Sequence, residues 1–278
     1  MPDRFFPARP SNQRLEMVEQ ELQDFSYTVS HDLAASFRRL SAFSHLFLGE
    51  FEQELTHRQR TYAQHVQAAN DRCQTMMEQL LVFSRAQQRV LIPAQQDANL
   101  AIRMAMLQLL RDHQPIQAEV VVEPLGQAYA DPDLLGLVFR HLLSNADKFH
   151  PPGEARTVNV SAVRDQQFWR LRITDNGVGV PANYREQAFQ MFRRLQAEDE
   201  YPGVGAGLAI CRRVAHRHNG EVSFLDCAEG TCVELALPLG PRSVPEDVEM
   251  GTPAWLAKLA NDAHDPAQGD RVRLAGAS

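Results

Sequence analysis

Apolar side chains early in the chain recur in steps of three and four. Leu15, Val18, Leu22, Phe25 and Val29 lead into Leu33, Phe37, Leu40 and Phe47, the seam of a packed helix. The spacing predicts one long helix over about 11–54, with Gly49 a late weak point. Two consecutive steps of four, Phe25 to Val29 to Leu33, form a stutter that locally unwinds a coiled coil. A second helix is predicted from Thr56, where Thr56 and Gln59 make a capping-box pattern. Its apolar positions, Tyr62, Val66, Ala69, Cys73, Met76, Leu80 and Phe83, alternate by four and three. One helical hairpin cannot bury both seams. Two hairpins can, as a four-helix bundle, so a homodimer is expected. An intramolecular core under a second domain is the alternative.

Leu91-Ile92-Pro93 ends the helix, and the texture then changes. The pattern predicts a helix over 98–112 and a strand over 118–123. Asp131-Pro132 starts a further helix, Asp as N-cap and Pro in the first turn, running to about 149 before Pro151-Pro152-Gly153. Strands are predicted at 157–163, 168–174, 221–226 and 231–237, and helices at 183–193 and 206–218. A mixed sheet with helices is an α+β fold. Residues 1–10, with three prolines, read as a disordered lead. The chain then divides into 11–90, a linker at 91–97, a domain over 98–240, and a flexible, Pro-, Gly- and Asp-rich tail over 241–278. One short amphipathic piece at 254–259 interrupts that tail.

Composition narrows the function. The formal charge of −7 argues against a nucleic-acid-binding surface. No apolar run approaches the roughly 18 residues that span a bilayer, and the start shows no signal peptide. Cys73, Cys211, Cys227 and Cys232 lack paired spacing, which argues against zinc and against a disulfide framework. A cytoplasmic protein with reduced thiols is expected.

Four stretches could carry chemistry. His31 lies two residues from the seam positions Val29 and Leu33, about 200° around the helix, so it is an exposed imidazole beside Asp32. A solvated surface histidine would have the same pattern. His141, Asn145 and Lys148 fall at i, i+4 and i+7 on one helical stripe. The amide can supply an oxygen to Mg²⁺ and the ammonium a charge to phosphate, though a solvated polar face would look alike. Asp175-Asn176-Gly177-Val178-Gly179 follows a strand. There Asp175 can accept from the exocyclic amine of a purine while the glycines admit a flat ring; a plain turn fits nearly as well. Gly203-Val204-Gly205-Ala206-Gly207 feeds a helix and presents N–H groups to phosphate oxygens. It matches neither GxGxxG nor GxxxxGK[ST].

Order and spacing together resemble a sensor histidine kinase. Ser30-His31-Asp32-Leu33 is similar to the phosphoacceptor box, Asn145-Ala146-Asp147-Lys148-Phe149 to the N box and Asp175-Asn176-Gly177-Val178-Gly179 to the first glycine box. Phe189-Gln190-Met191-Phe192-Arg193-Arg194-Leu195 is similar to the F box. The run from Tyr201 to Ile210 is similar to the second glycine box in its phytochrome-like variant. The resemblance covers about 25–240. It implies a dimeric helical hairpin (dimerisation and histidine phosphotransfer) joined to a Bergerat-type, α/β-sandwich ATP-binding domain.

That resemblance also implies roles. His31 would attack the γ-phosphoryl of ATP with Asp32 as its base, and the phosphoryl would pass to an Asp in the receiver domain of a response regulator, as in a phosphorelay. Asn145 would coordinate Mg²⁺, Lys148 would contact phosphates and Asp175 would read adenine. Gly203, Gly205 and Gly207 would let a lid, 196–201, close over the triphosphate. Phe149, Gly177, Gly179, Phe192, Arg194 and Leu208 would complete the nucleotide site. Three positions depart from the family pattern. Ser36 stands where proline is usual, His141 where the site usually carries Asn, and Ala35 where strong phosphatases carry Thr or Asn. With no sensor segment expected ahead of the kinase, its input would come through the N-terminal helix, the tail, or a partner such as a separate sensor protein. A degenerate kinase kept as a phosphotransfer or scaffold module is the alternative reading. A chaperone-type or mismatch-repair ATPase is disfavoured, because those carry Glu rather than His four residues before the metal-binding Asn and lack the hairpin.

Overall fold

The structure is a computed structural model and describes residues 32–51, 54–112, 114–196 and 201–241. The predicted helix before residue 32, His31 itself, the lead and the tail lie outside the described residues. Helix α1 covers 32–51 and α2 covers His57–Gln88. Thr56 and Gln59 form the capping box that the pattern predicts: Thr56 N–H donates to Gln59 Oε1 at 2.9 Å, and Gln59 N–H reaches back to the threonine hydroxyl. Ser36, in place of the usual proline, leaves α1 unbroken and donates its hydroxyl to Asp32 O at 3.0 Å.

The hairpin is inside-out for a single chain. Apart from Leu81, its buried positions are small or polar, Ala34, Ser41 and Asn70 among them, and Ser41 Oγ donates to Asp71 Oδ1 at 3.2 Å. The large apolar side chains Leu33, Leu40, Phe43, Leu46, Phe47, Tyr62 and Val66 are exposed instead. The seams stay open at Leu33, Leu40, Phe47, Tyr62 and Val66, while Phe37 and, farther along α2, Cys73, Met76 and Leu80 are half-buried. Phe83, with Val82, packs on the core of the following domain, and Ala86 is part of that core.

Next come β1 (Ala94–Asp97), α3 (Ala98–Arg111), β2 (Glu119–Val122), β3 (Gln127–Ala130), α4 (Pro132–Lys148), β4 (Thr157–Arg164) and β5 (Phe168–Asp175). A 3₁₀ turn at Ala182–Tyr184, α5 (Arg185–Ala188), α6 (Gly207–Arg217), β6 (Glu221–Leu225) and β7 (Thr231–Pro238) complete the domain. The main sheet has the order β2-β4-β5-β7-β6, parallel only between β2 and β4. The mixed α+β architecture read from the sequence is present. β5 shows why it has two layers. Trp169, Leu171 and Ile173 are buried under the helices, while Arg170 and Arg172 on the opposite face pair with Glu234 at 2.9 and 2.8 Å, the two-residue alternation of a sheet covered on one side. The Trp169 indole N–H is satisfied by Leu125 O at 2.8 Å.

Two expectations are corrected. Residues 94–97, expected as linker, form β1, which pairs antiparallel with the unanticipated β3. The helix expected over 183–193 stops at Ala188, and Phe192 takes φ +61°. Phe189, Met191 and Phe192 all pack on the core. A continuous helix would turn Met191 about 200° away from Phe189, so the chain leaves the helix to bury all three.

A polar joint ties α2 to this domain. The Arg217 guanidinium, at the end of α6, donates to Ala86 O and Arg89 O, both at 2.6 Å. Asp131, fully buried, caps α4 through Asp133 N–H and Leu134 N–H and also accepts from Ile92 N–H at 3.1 Å. His218 Nε2 accepts from Asp131 N–H at 2.9 Å while Nδ1 meets Val214 O at 2.8 Å, so the ring carries its proton on Nδ1.

Candidate functional site

Helix α4 sets the position of the site. Leu135, Val138, Leu142 and Ala146 bury one stripe of it, which turns His141, Asn145 and Lys148 toward the loop ahead of α6. That loop lies directly against them. A Cβ on Gly203 would sit 3.0 Å from Lys148 Nζ, and one on Gly207 would sit 3.2 Å from His141 Nδ1. At Gly205 the backbone has φ +74° and a Cβ would come within 2.5 Å of Arg193 O; only glycine suits both demands. The loop thus lies against α4 at Gly203 and Gly207 and against the Arg193 backbone at Gly205.

Two cations meet here. The Arg194 guanidinium donates to Gly203 O and to Tyr201 O, the latter at 2.8 Å, so it braces the glycine loop. Lys148 Nζ lies 4.3 Å over the Phe149 ring, and that ring is 5.3 Å from Tyr201. Burial first, and Arg194 second, lower the Lys148 pKa to about 8. A cation held mainly by burial is stabilised in its charged form by an anion placed beside it. His141 is pressed the same way: burial, then Arg140 and Lys148, lower its pKa to about 4, which keeps the imidazole neutral.

Asp175 ends β5 and is buried. Its Oδ1 accepts from Gly177 N–H at 2.9 Å and Thr231 N–H at 3.1 Å. Burial raises its pKa and those two N–H groups oppose the rise. Gly177 is demanded by protein backbone, since a Cβ there would fall 2.1 Å from Phe149 O; Gly179 likewise faces Gly230 O. The first glycine box therefore forms the turn that docks β5 on the end of α4.

The fixing of that turn was not legible in the sequence. Asn176 Oδ1 accepts from His150 Nε2 at 2.7 Å and Thr157 N–H at 2.8 Å, and its Nδ2 donates to Ala155 O at 2.9 Å. His150 is buried, and nothing in its sequence neighbourhood marks it. Asn145 and Leu208 are half-buried beside the cradle, and Leu208 and Phe192 lean on the core. Asp32 is exposed near the start of the described α1. The structure thus brings Asn145, Lys148, Phe149, Arg194, Gly203, Gly205 and Gly207 together and sets Asp175, Gly177 and Gly179 across the end of α4. It does not describe His31.

The cradle fits a polyphosphate: two cations, a glycine loop at a helix N-terminus, and an enclosed His141 Nε2 with no partner. Among the described residues, no group of three or more His, Cys, Asp or Glu could hold a metal ion. A cation beside Asn145 would take the rest of its shell from phosphate oxygens and water.

Comparisons with known proteins agree with this geometry. Residues 130–241 match the family of histidine kinase-, DNA gyrase B- and HSP90-like ATPases. Cyanobacterial phytochrome A from Nostoc sp. is 26% identical over 229 residues, covering 82% of this chain. The probable sensor protein PcoS from Escherichia coli is 30% identical over 217 residues, covering 76% of this chain. The chain spans only 30% of the first relative's length and 45% of the second's. Full-length ShkA, solved in complex with AMPPNP, shares the fold with a TM-score of 0.54 at 24% identity, over 78% of this chain and 45% of ShkA. Among the described residues no helix is long and apolar enough to cross a membrane.

Proposed function

We propose that this chain, whose residues 130–241 belong to the histidine kinase-, DNA gyrase B- and HSP90-like ATPases and which resembles the sensor histidine kinases, is an ATP-dependent protein histidine kinase of a two-component system. The observation that carries the proposal is the buried Lys148 ammonium set against the glycine loop that feeds α6. A triphosphate would meet that charge and needs only positioning and charge neutralisation to react. In this reading Asn145 would hold Mg²⁺ through its amide oxygen, the cation supplying charge neutralisation to the phosphates, and Asp175 would accept from the adenine amine. A ring nitrogen of His31 attacks the γ-phosphorus as the bond to the ADP oxygen breaks, with Asp32 polarising the imidazole. The phosphoryl then passes to an aspartate in a response-regulator receiver domain. The exposed apolar side chains of α1 and α2 support a homodimer in which two hairpins close one bundle.

The test is incubation with γ-labelled ATP. Acid-labile, base-stable label is expected on the wild type and none on His31→Gln, with nucleotide binding unchanged. Label retained on His31→Gln removes His31 as acceptor. Nucleotide binding without label on the wild type, in the presence of Mg²⁺, favours the scaffold alternative.

A further inference from the structure

Helix α3 is apolar on both of its sides. Ala98, Ile102, Ala105 and Leu109 are buried in the core of the domain. On the opposite side Leu100, Met104, Leu107 and Leu110 are between 49% and 60% exposed. At about 100° per residue these four fall within an arc of about 120°, as wide as the stripe that a surface helix turns inward. A helix apolar all round is ordinarily a buried helix. Scattered apolar side chains on a surface are unremarkable, but a stripe of four along one helix marks a contact. This stripe also carries charge. Arg103 and Arg111 fall inside the same arc and are exposed, and neither takes part in an ion pair among the described residues. None of the cradle residues is on α3, so the face is separate from the site described above.

We propose that this face of α3 is a docking surface for an amphipathic helix of a partner protein, one whose apolar stripe is flanked by Asp and Glu. The 14 residues of α3 rise about 21 Å, long enough to receive anchors at i, i+3 or i+4, and i+7 of a facing helix. Met104, in the middle of the stripe, is the unbranched, adaptable side chain that suits such a surface. Arg103 and Arg111 stand about two turns apart, which sets the spacing of the carboxylates that meet them, each guanidinium fork taking one bidentately. The same charges turn away the other occupants. A second copy offering its own α3 would bring arginine against arginine whether the helices ran parallel or antiparallel. A membrane surface rich in anionic lipid would attract two arginines but repel a chain of net charge −7, and α3 has no Trp, Tyr or Phe to sit at headgroup level.

The experiment uses the full chain and two fluorescent peptides of about 18 residues, each about 27 Å long as a helix. One has Leu at its a and d positions, Glu at e and g and Ala elsewhere; its twin has Lys for every Glu. Anisotropy titrations are expected to show the Glu peptide bound and the Lys peptide held about tenfold more weakly or worse. Arg103→Glu with Arg111→Glu should reverse that preference. Met104→Asp with Leu107→Asp, both at exposed positions, should abolish binding of either peptide while the unfolding midpoint stays that of wild type. If that variant does not fold, the reversal by the two arginine substitutions decides alone. Equal binding of the two peptides, or binding of neither, overturns the proposal. So do two results that assign the face to another occupant. One is cosedimentation with vesicles of phosphatidylglycerol and phosphatidylcholine, lost in Met104→Asp with Leu107→Asp, without Glu-peptide binding. The other is self-association in analytical ultracentrifugation that the same pair of substitutions removes, again without Glu-peptide binding.

Discussion

The helical hairpin and the ATPase domain leave their interactions unfinished in opposite places. In the domain, Trp169, Phe139, Leu143 and Leu171 are fully buried, and even the charges on the open sheet face pair off through Glu234. Among the described residues of the domain, the one enclosed side-chain atom without a partner is His141 Nε2, beside the buried Lys148. The hairpin has small and polar residues inside and Phe43 and Phe47 outside, 69% and 57% exposed. Apolar surface asks for more apolar surface, whereas a buried cation asks for an anion. In the function proposed above, another copy of the chain would complete one region and a small polyanion the other.

The largest effects separate the two regions directly. Trp169→Ala removes a fully buried ring and should cost about 3–5 kcal/mol, unfolding the ATPase domain at moderate denaturant with the oligomeric state of the remaining fold unchanged. Phe43→Asp with Phe47→Asp should do the reverse. It places charge in the proposed bundle seam and should give monomers by sedimentation, with the domain's unfolding midpoint retained. A dimer surviving both aspartates would mean that the open seam faces something other than a second hairpin.

The cradle is tested by protons. The pKa of Lys148 is lowered to about 8 in the folded protein, so between that value and the ordinary lysine range of about 10.4 the unfolded chain binds more protons. Stability from this group therefore rises with pH across that window and is flat below it. A bound triphosphate should return the ammonium to its ordinary range. Nucleotide binding near pH 9 should accordingly take up close to one proton, read from calorimetry in buffers of different ionisation enthalpy. Lys148→Met should abolish the uptake, and uptake that survives in Lys148→Met would place the titrating group elsewhere.

Much of this contrast was legible in the sequence, because periodicity reports faces. The steps of three and four in α2, the Thr56–Gln59 cap, the Asp131-Pro132 start of α4 and the alternation in β5 all follow from local rules. What failed to show was set by distant partners. β1 has the unremarkable sequence Ala94-Gln95-Gln96-Asp97 and exists because β3 lies beside it. The stretch after Ala188 has helical composition, but three core contacts on incompatible sides of a helix unwind it. His150 became part of the site through Asn176, 26 residues away. The glycines of the first box were read for a ligand, and their neighbours are Phe149 O and Gly230 O.

A smaller effect is expected where the two regions join. Arg217 is carried by the helix that begins at the glycine loop, and its guanidinium closes the last carbonyls of α2. Replacing it by Ala leaves Ala86 O and Arg89 O without their charged donor, a loss of about 1.5–3 kcal/mol confined to the joint. Amide exchange should quicken over 82–92 and stay slow in β5 and β7. Arg217→Lys should rescue little, since an ammonium cannot present the fixed fork that spans two carbonyls. Unchanged protection over 82–92 in Arg217→Ala would move the hold on α2 to the Asp131 and Phe83 contacts.

The smallest effect concerns Asn70, the hairpin's own orphan. Both Nδ2 and Oδ1 are enclosed and unpaired, on the residue next to the Asp71 that takes the Ser41 hydroxyl. A buried Asn in a helical seam commonly fixes register and partner number at the expense of stability. Asn70→Leu keeps about the same volume and removes the unmet polar atoms, so the hairpin should gain about 1 kcal/mol while its assembly becomes less uniform. The gain is read from unfolding of the full chain, and the loss of uniformity from a broader mass distribution in sedimentation. A fall in stability instead would show that the amide has a partner after all.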